Sequence, residues 1–212
     1  MGSDFKRLLS AAGDSLLPPW TVGEERAVTL FGENGKQLLD LLRQRNGFFA
    51  FESSLHVFPL GSSLDRLTLI RWNDPHLWKN AYGELLGQPV LFFAQDVNGN
   101  QFGISNQKII LFYSEFAEFE VIAGTLSEWE GILMSDWRGF TGYELAHEWQ
   151  TRHRSLEEGE RLIPKVPFVV GGKYEVNNLY AGQIIDAMRF RASLALQIAA
   201  VPDGTAIRLT IT

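Results

Sequence analysis

Three short strings in this chain combine residue types that could do chemistry, and each lacks a part its chemistry needs. In His147-Glu148-Trp149-Gln150-Thr151 a Glu follows a His, as in a zinc-hydrolase helix. That site requires a second imidazole one turn on, where this chain has Thr151, and His153 falls six residues from His147, off the same helical face. No shared metal is expected there. Asp96, Asn98 and Asn100 repeat the first three oxygen ligands of a calcium loop, but Gln101 stands at the sharp-turn glycine and Gln107 at the bidentate Glu. Asn98-Gly99 reads instead as a two-residue reversal between apolar strands. Gly32-Glu33-Asn34-Gly35-Lys36 ends like a phosphate-binding loop, yet it lacks the earlier glycine and carries Gln37 where Ser or Thr would bind magnesium.

Nucleophilic and acid-base chemistry are no better served. No Gly-x-Ser-x-Gly elbow occurs, and Gly61-Ser62-Ser63 lies in a polar connection. Carboxylates cluster at Glu115 and Glu118 and at Glu157, Glu158 and Glu160. Such pairs divide acid and base roles if burial separates their pKa values; otherwise they form a solvated acidic face or an acidic docking surface. Trp72-Asn73-Asp74-Pro75-His76-Leu77-Trp78 joins two large rings to an acidic residue in a connection between elements. It is either a binding loop with Trp anchors or a connection pinned to the core by the same rings. The candidate partner-binding residues are thus Trp72, Asp74, Trp78, Asp96, Glu115 and Glu118; catalytic and metal residues and cofactors are not expected.

The elements that would position these residues follow from spacing. Asp4 to Ala12 reads as a short amphipathic helix, and Lys36 to Gln44 as a longer one ended by Asn46-Gly47. Phe48 to Phe51, Leu55 to Phe58 and Leu67 to Trp72 are aromatic and β-branched runs expected as strands. Three antiparallel strands follow at Val90 to Ala94, Phe102 to Ile104 and Ile109 to Phe112, reversing at Asn98-Gly99 and Asn106-Gln107. Helix-capping spacing occurs at Thr125 to Glu128, Thr141 to Glu144 and Ser155 to Glu158. In the tail, Val166 to Val170 reads as a strand, Gln183 to Met188 as a short helix, and Leu194 to Val201 with Ala206 to Ile211 as a hairpin around Pro202-Asp203-Gly204.

With 45% apolar and 21% charged residues, the 212-residue chain has the composition of a globular protein large enough for one core with an elaboration. A net charge of -6 argues against binding nucleic acid, which calls for clustered Lys and Arg, and suits a basic protein partner. There is no cysteine, which removes disulfides and thiolate sites. The first residues lack a long apolar run and no stretch reaches about 18 apolar residues, so a cytoplasmic protein without membrane contact is expected.

Taken in order, the run from Gly35 to Trp137 resembles the SUKH superfamily, which includes a yeast cell-wall-synthesis regulator and many bacterial immunity proteins. The helix ending in Asn46-Gly47 is similar to that family's first motif. The run Phe92-Phe93-Ala94-Gln95-Asp96 with Gly99, Gln101, Phe102 and Ile104 resembles its central hairpin, and Ser127-Glu128-Trp129 the start of its closing helix. Family members commonly carry Leu-Pro before the first helix, where this chain has Phe31-Gly32-Glu33-Asn34, and a second Gly where it has Phe48. The resemblance implies an α+β fold, a mixed or antiparallel sheet packed by helices, over residues 35–137. Residues 138–212 would form a C-terminal helical and β-hairpin extension of the one domain, 1–212. It also implies a non-catalytic domain that binds and blocks a cognate toxin or effector, probing alternatives being a regulatory scaffold with several partners and an enzyme working through carboxylates alone.

Overall fold

In the computed structural model, which describes residues 5–200, six strands form one antiparallel meander in chain order. They are β1 (Phe48–Ala50), β2 (Leu55–Val57), β3 (Leu91–Asp96), β4 (Gln101–Ser105), β5 (Lys108–Tyr113) and β6 (Glu118–Ala123). Before the sheet come the helices α1 (Lys6–Ser10), α2 (Arg26–Thr29) and α3 (Gly32–Gln44); α4 (Leu69–Trp72) and a 3₁₀ segment, Lys79–Leu86, lie between β2 and β3. After it come α5 (Leu126–Ser135), α6 (Trp137–Thr141) and α7 (Tyr143–Arg152). A separate antiparallel pair, β7 (Glu160–Pro164) and β8 (Leu179–Gln183), precedes the last helix, α8 (Ile184–Ala199). The α+β architecture expected from the sequence is present.

Every residue of β3 and β4 is buried, because the sheet is covered on both faces. On one face Trp129 of α5 packs at steep ring angles against Phe93 and Phe102. Across the other, the strand register aligns Phe49, His56, Gln95, Gln101, Phe112 and Phe119 in a single row. A register shift at Phe92/Ala94 puts Phe92 on that face as well. Phe58, Trp72, Trp78, Tyr82, Phe92 and Phe112 then join in ring contacts of 5.0–5.8 Å. Gly103 lies beneath them, where an added Cβ would fall within 2.8 Å of Val90 and 2.9 Å of Phe92. Ile163, Ile184, Ala187, Met188, Ala192 and Ala195 belong to the same core. Part of the C-terminal region therefore joins the main interior, while Val97 with Trp149, Leu162, Val176 and Leu179 belongs to a second, smaller cluster.

Several elements differ from their sequence reading. Leu67 to Trp72 is not a strand: Thr68 Oγ1 accepts from Arg71 N and caps the single-turn α4. Leu194 to Val201 was expected as a strand, yet α8 runs through Ala199. Its buried Ile184, Ala187, Met188, Arg191, Ala192 and Ala195 recur every three or four residues, and alanine is the best helix former. The other half of that hairpin, Ala206 to Ile211, lies outside the described residues. Val166 to Val170 holds a short 3₁₀ turn, Phe168–Val170, and Ser155-Leu156-Glu157-Glu158 starts no helix; Glu158, the carboxylate of that spacing, pairs instead with Arg66 at 2.9 Å.

The turn from β1 to β2 is unusual. Phe51, Glu52 and Ser53 all have left-handed backbone, with φ of 53°, 53° and 65°. The helices α6 and α7 hold it from above. Phe51 stacks on Trp137 at 4.7 Å, the Glu52 carboxylate receives Tyr143 Oη at 3.0 Å and lies 2.8 Å from His147 Nδ1, and Gln150 Nε2 donates to the Glu52 carbonyl at 2.8 Å.

Candidate functional site

The structure does not gather the six residues singled out from the sequence into one surface site. Trp72 and Trp78 are sealed in the core 5.2 Å apart, and each indole N–H is used internally. Trp72 Nε1 donates to Gln101 Oε1 at 2.8 Å and Trp78 Nε1 to the Trp72 carbonyl at 3.0 Å. The two rings pin the connection, and neither is available as an anchor for a partner. Between them Asp74 is exposed, its Oδ1 accepting from His76 N. Glu115 is buried and accepts from Val169 N at 3.1 Å, fastening the segment after β7, whereas Glu118 is exposed on the edge strand β6. Glu115 and Glu118 therefore do not make one acidic face.

Asp96 is buried at the β3–β4 reversal, where Asn100 N and Asn100 Nδ2 both donate to its carboxylate at 2.8 Å. Burial pushes its pKa up to about 6, against the opposing pull of the Asn100 bonds and of the Arg191 charge. Gly99, with φ 79°, leaves room for the Arg191 guanidinium, and an added Cβ there would collide with it. A cation at the Asp96, Asn98 and Asn100 oxygens would meet that positive charge, so the turn is a docking point for α8 and not a calcium loop. The two imidazoles considered for zinc are also apart in their contacts: His147 faces Glu52, and His153 Nδ1 lies 2.9 Å from the Trp149 carbonyl.

A second buried polar set spans the neighbouring strands β2, β3 and β4; Gln95 and Gln101 belong to the hairpin motif, but nothing in the sequence shows that His56 pairs with them. His56 Nδ1 lies 3.3 Å from Gln95 Nε2, Gln101 Nε2 donates to Gln95 Oε1 at 3.2 Å, and Gln101 also receives Trp72. Burial, aided by the Arg161 and Arg66 charges, holds His56 well below the usual imidazole range and hence neutral. Arg161 is fully buried, with its guanidinium 5.3 Å from the Phe49 ring, and burial lowers it to about 10. Among the described residues no three His, Cys, Asp or Glu side chains gather as a metal site would require.

A large open concavity lies elsewhere, where β2 stops short of β3. Beyond Phe58, the β3 edge has no strand beside it; instead Asn73 receives Phe92 N at 2.9 Å and donates to Phe92 O at 2.7 Å, in the manner of a strand neighbour. Lys79 Nζ donates to Val90 O at 2.9 Å and lies 3.3 Å from Asn73 Oδ1. Over this edge opens a groove of about 1120 Å³, with buried Val90 and Leu91 and half-buried Lys79 at its base. Its walls carry Leu30, 84% exposed, Leu64, 94% exposed, and Ile70, 41% exposed. Two bonds set the wall that bears Leu64: Arg71 Nη1 donates to the Leu64 carbonyl at 3.0 Å, and Ser62 Oγ to Glu24 Oε1 at 2.8 Å. Asp74 stands on the rim. The sequence missed this site because Leu30, Leu64 and Ile70 sit in three segments that no periodicity connects.

No family model matches the chain, and no curated protein matches it. Among solved structures, the crystal structure of Atu4351 from Agrobacterium tumefaciens is similar, with a TM-score of 0.58 and 13% sequence identity over 89% of this chain and 88% of that one. At that identity the likeness is one of fold alone. It covers more of the chain than residues 1–137 contain, so the common fold takes in part of the C-terminal region.

No helix among the described residues is long and apolar enough to cross a membrane.

Proposed function

We propose that this chain is a non-catalytic protein-binding domain whose partner is a cognate bacterial toxin or effector, blocked by being covered. The observation that carries the reading is the groove with Leu30, Leu64 and Ile70 held in water on its walls. Exposed aliphatic side chains gathered on one concave surface mark interaction sites, and covering Leu30 or Leu64 contributes about 1.5–3 kcal/mol, with less from Ile70, which is already more than half buried. Asp74, expected from the sequence to touch a partner, stays in the proposed interface. The toxin class comes from the SUKH resemblance, which the α+β fold supports. The net charge of -6 favours encounter with a basic protein, while the groove walls supply the holding force.

The test is capture from a lysate of the source organism at low and moderate salt, with wild type beside Leu64→Asp and Ile70→Asp. One basic polypeptide in stoichiometric amount, lost with either variant, and growth restored when both proteins are expressed together, is the result that fits. A spread of weak partners indifferent to both substitutions would favour a scaffold. Stoichiometric capture unaffected by either change would move the interface away from the groove.

A further inference from the structure

We propose that the groove takes a partner segment of one chemistry: a short stretch of polypeptide with aliphatic side chains and a single carboxylate that lands on Lys79. The inference rests on the reading of the groove as the partner surface and specifies what enters it. Lys79 is a cation at the base of a largely apolar groove, and its amine is held by two neutral acceptors, Val90 O and Asn73 Oδ1, with the Phe92 ring 5.2 Å away. No carboxylate among the described residues forms an ion pair with it.

The two carboxylates that share the groove are engaged elsewhere. Glu24 is bonded to Ser62 and Thr21, and Asp74 to the His76 amide. Arg26 and Arg71 also line the groove, so its cations outnumber its carboxylates. A charged amine taken partly out of water loses hydration that two neutral acceptors replace incompletely, which is why burial draws Lys79 down to about 8. An incoming carboxylate restores that loss with a charge-assisted hydrogen bond in surroundings of low polarity, where such bonds are strongest. The aliphatic walls select the rest of the segment. The groove exceeds the usual volume of roughly 300–1,000 Å³ for small-ligand clefts, and it is open between its walls, as suits a chain that enters and leaves.

The experiment displays random 12-residue peptides on phage and selects them on the full chain, with soluble Ile70→Asp protein as competitor. Winners are then synthesised and titrated against wild type, Lys79→Met and Lys79→Arg, each checked for a cooperative thermal melt. The expected winners carry at least two aliphatic residues and one Asp or Glu. Their binding falls at least tenfold when that acid is changed to its amide or when Lys79 becomes Met, and stays within about threefold for Lys79→Arg. Affinity for wild type also declines as pH rises above about 8, a trend absent in Lys79→Arg. Winners without an acid, basic winners, or no peptide that distinguishes wild type from Ile70→Asp would overturn the proposal. Laurate binding in place of any peptide would overturn it as well. Such failures leave stoichiometric lysate capture that depends on Leu64 and Ile70 intact, so the two readings fail separately.

Discussion

Asp96 is a carboxylate that the fold keeps hard to ionise, and this has a measurable consequence. Its folded pKa, raised to about 6 from 3.8, lies above the unfolded value, so the folded state holds the proton more tightly. The stabilisation it brings is complete below about pH 4 and is lost as pH rises through about 6, on the order of 2–3 kcal/mol in all. Asp96→Asn keeps an acceptor for the Asn100 amide and removes the titration. Urea unfolding at pH 4 and pH 7 should show the variant gaining about 2 kcal/mol on wild type over that interval; parallel curves would place the Asp96 charge in better solvation than its burial indicates. Gly99 has a role at the same turn that no other residue can fill. Gly99→Ala combines a left-handed backbone with a collision against Arg191 and should cost more than about 2 kcal/mol in the same assay, with α8 loosened first.

At the level of elements, three capping spacings look alike in the sequence and differ in the structure. Thr125 Oγ1 accepts from Glu128 N at 3.1 Å, and Glu128 Oε2 accepts from Gly124 N at 2.8 Å, so α5 has a working cap. Thr141 instead joins Ser54 and the Trp137 carbonyl, and Gly142 takes the cap position of α7. Thr125→Ala should therefore cost about 1 kcal/mol by chemical denaturation, while Ser155→Ala should stay within about 0.5 kcal/mol. The meander is legible because Asn98-Gly99 and Asn106-Gln107 mark its reversals, where Gly99, Asn106 and Gln107 take the left-handed backbone that the turns use. The strand β6 is hidden in the sequence, since Glu118 and Glu120 obscure the alternation with Phe119. The length of α8 was present in its alanine spacing, but apolar runs near a Pro-Asp-Gly turn resemble strands equally well. The groove was out of reach, since it depends on β2 ending before β3 does.

For the whole molecule, the main core extends across Trp137, beside a smaller apolar cluster around Trp149, Leu162 and Leu179. The aromatic face of the sheet shares its core with Ile163, Ile184, Met188 and Ala192, and Arg189 Nε donates to the Leu77 carbonyl at 2.9 Å across that junction. A fragment of residues 1–137 would leave Trp78, Tyr82 and Phe92 without part of their cover. It is expected to bind a hydrophobic dye and to lose the sharp thermal transition of the full chain. A fragment that melts cooperatively and binds no dye would make the C-terminal region an accessory.

The left-handed turn at Phe51, Glu52 and Ser53 also bears on the order of folding. Three such residues in succession disfavour the turn by about 1–2 kcal/mol each; Ser54 N and Oγ bond locally to the Phe51 carbonyl, and the remaining contacts that offset the cost come from α6 and α7, some 90 residues along the chain. The β1–β2 hairpin thus has little reason to close until those helices arrive, which makes it a late event on the folding route. Ser53→Gly relieves one strained residue and leaves every Glu52 contact in place. Its gain of about 1 kcal/mol should appear as slower unfolding with an unchanged refolding rate, whereas faster refolding would put the hairpin in the nucleus.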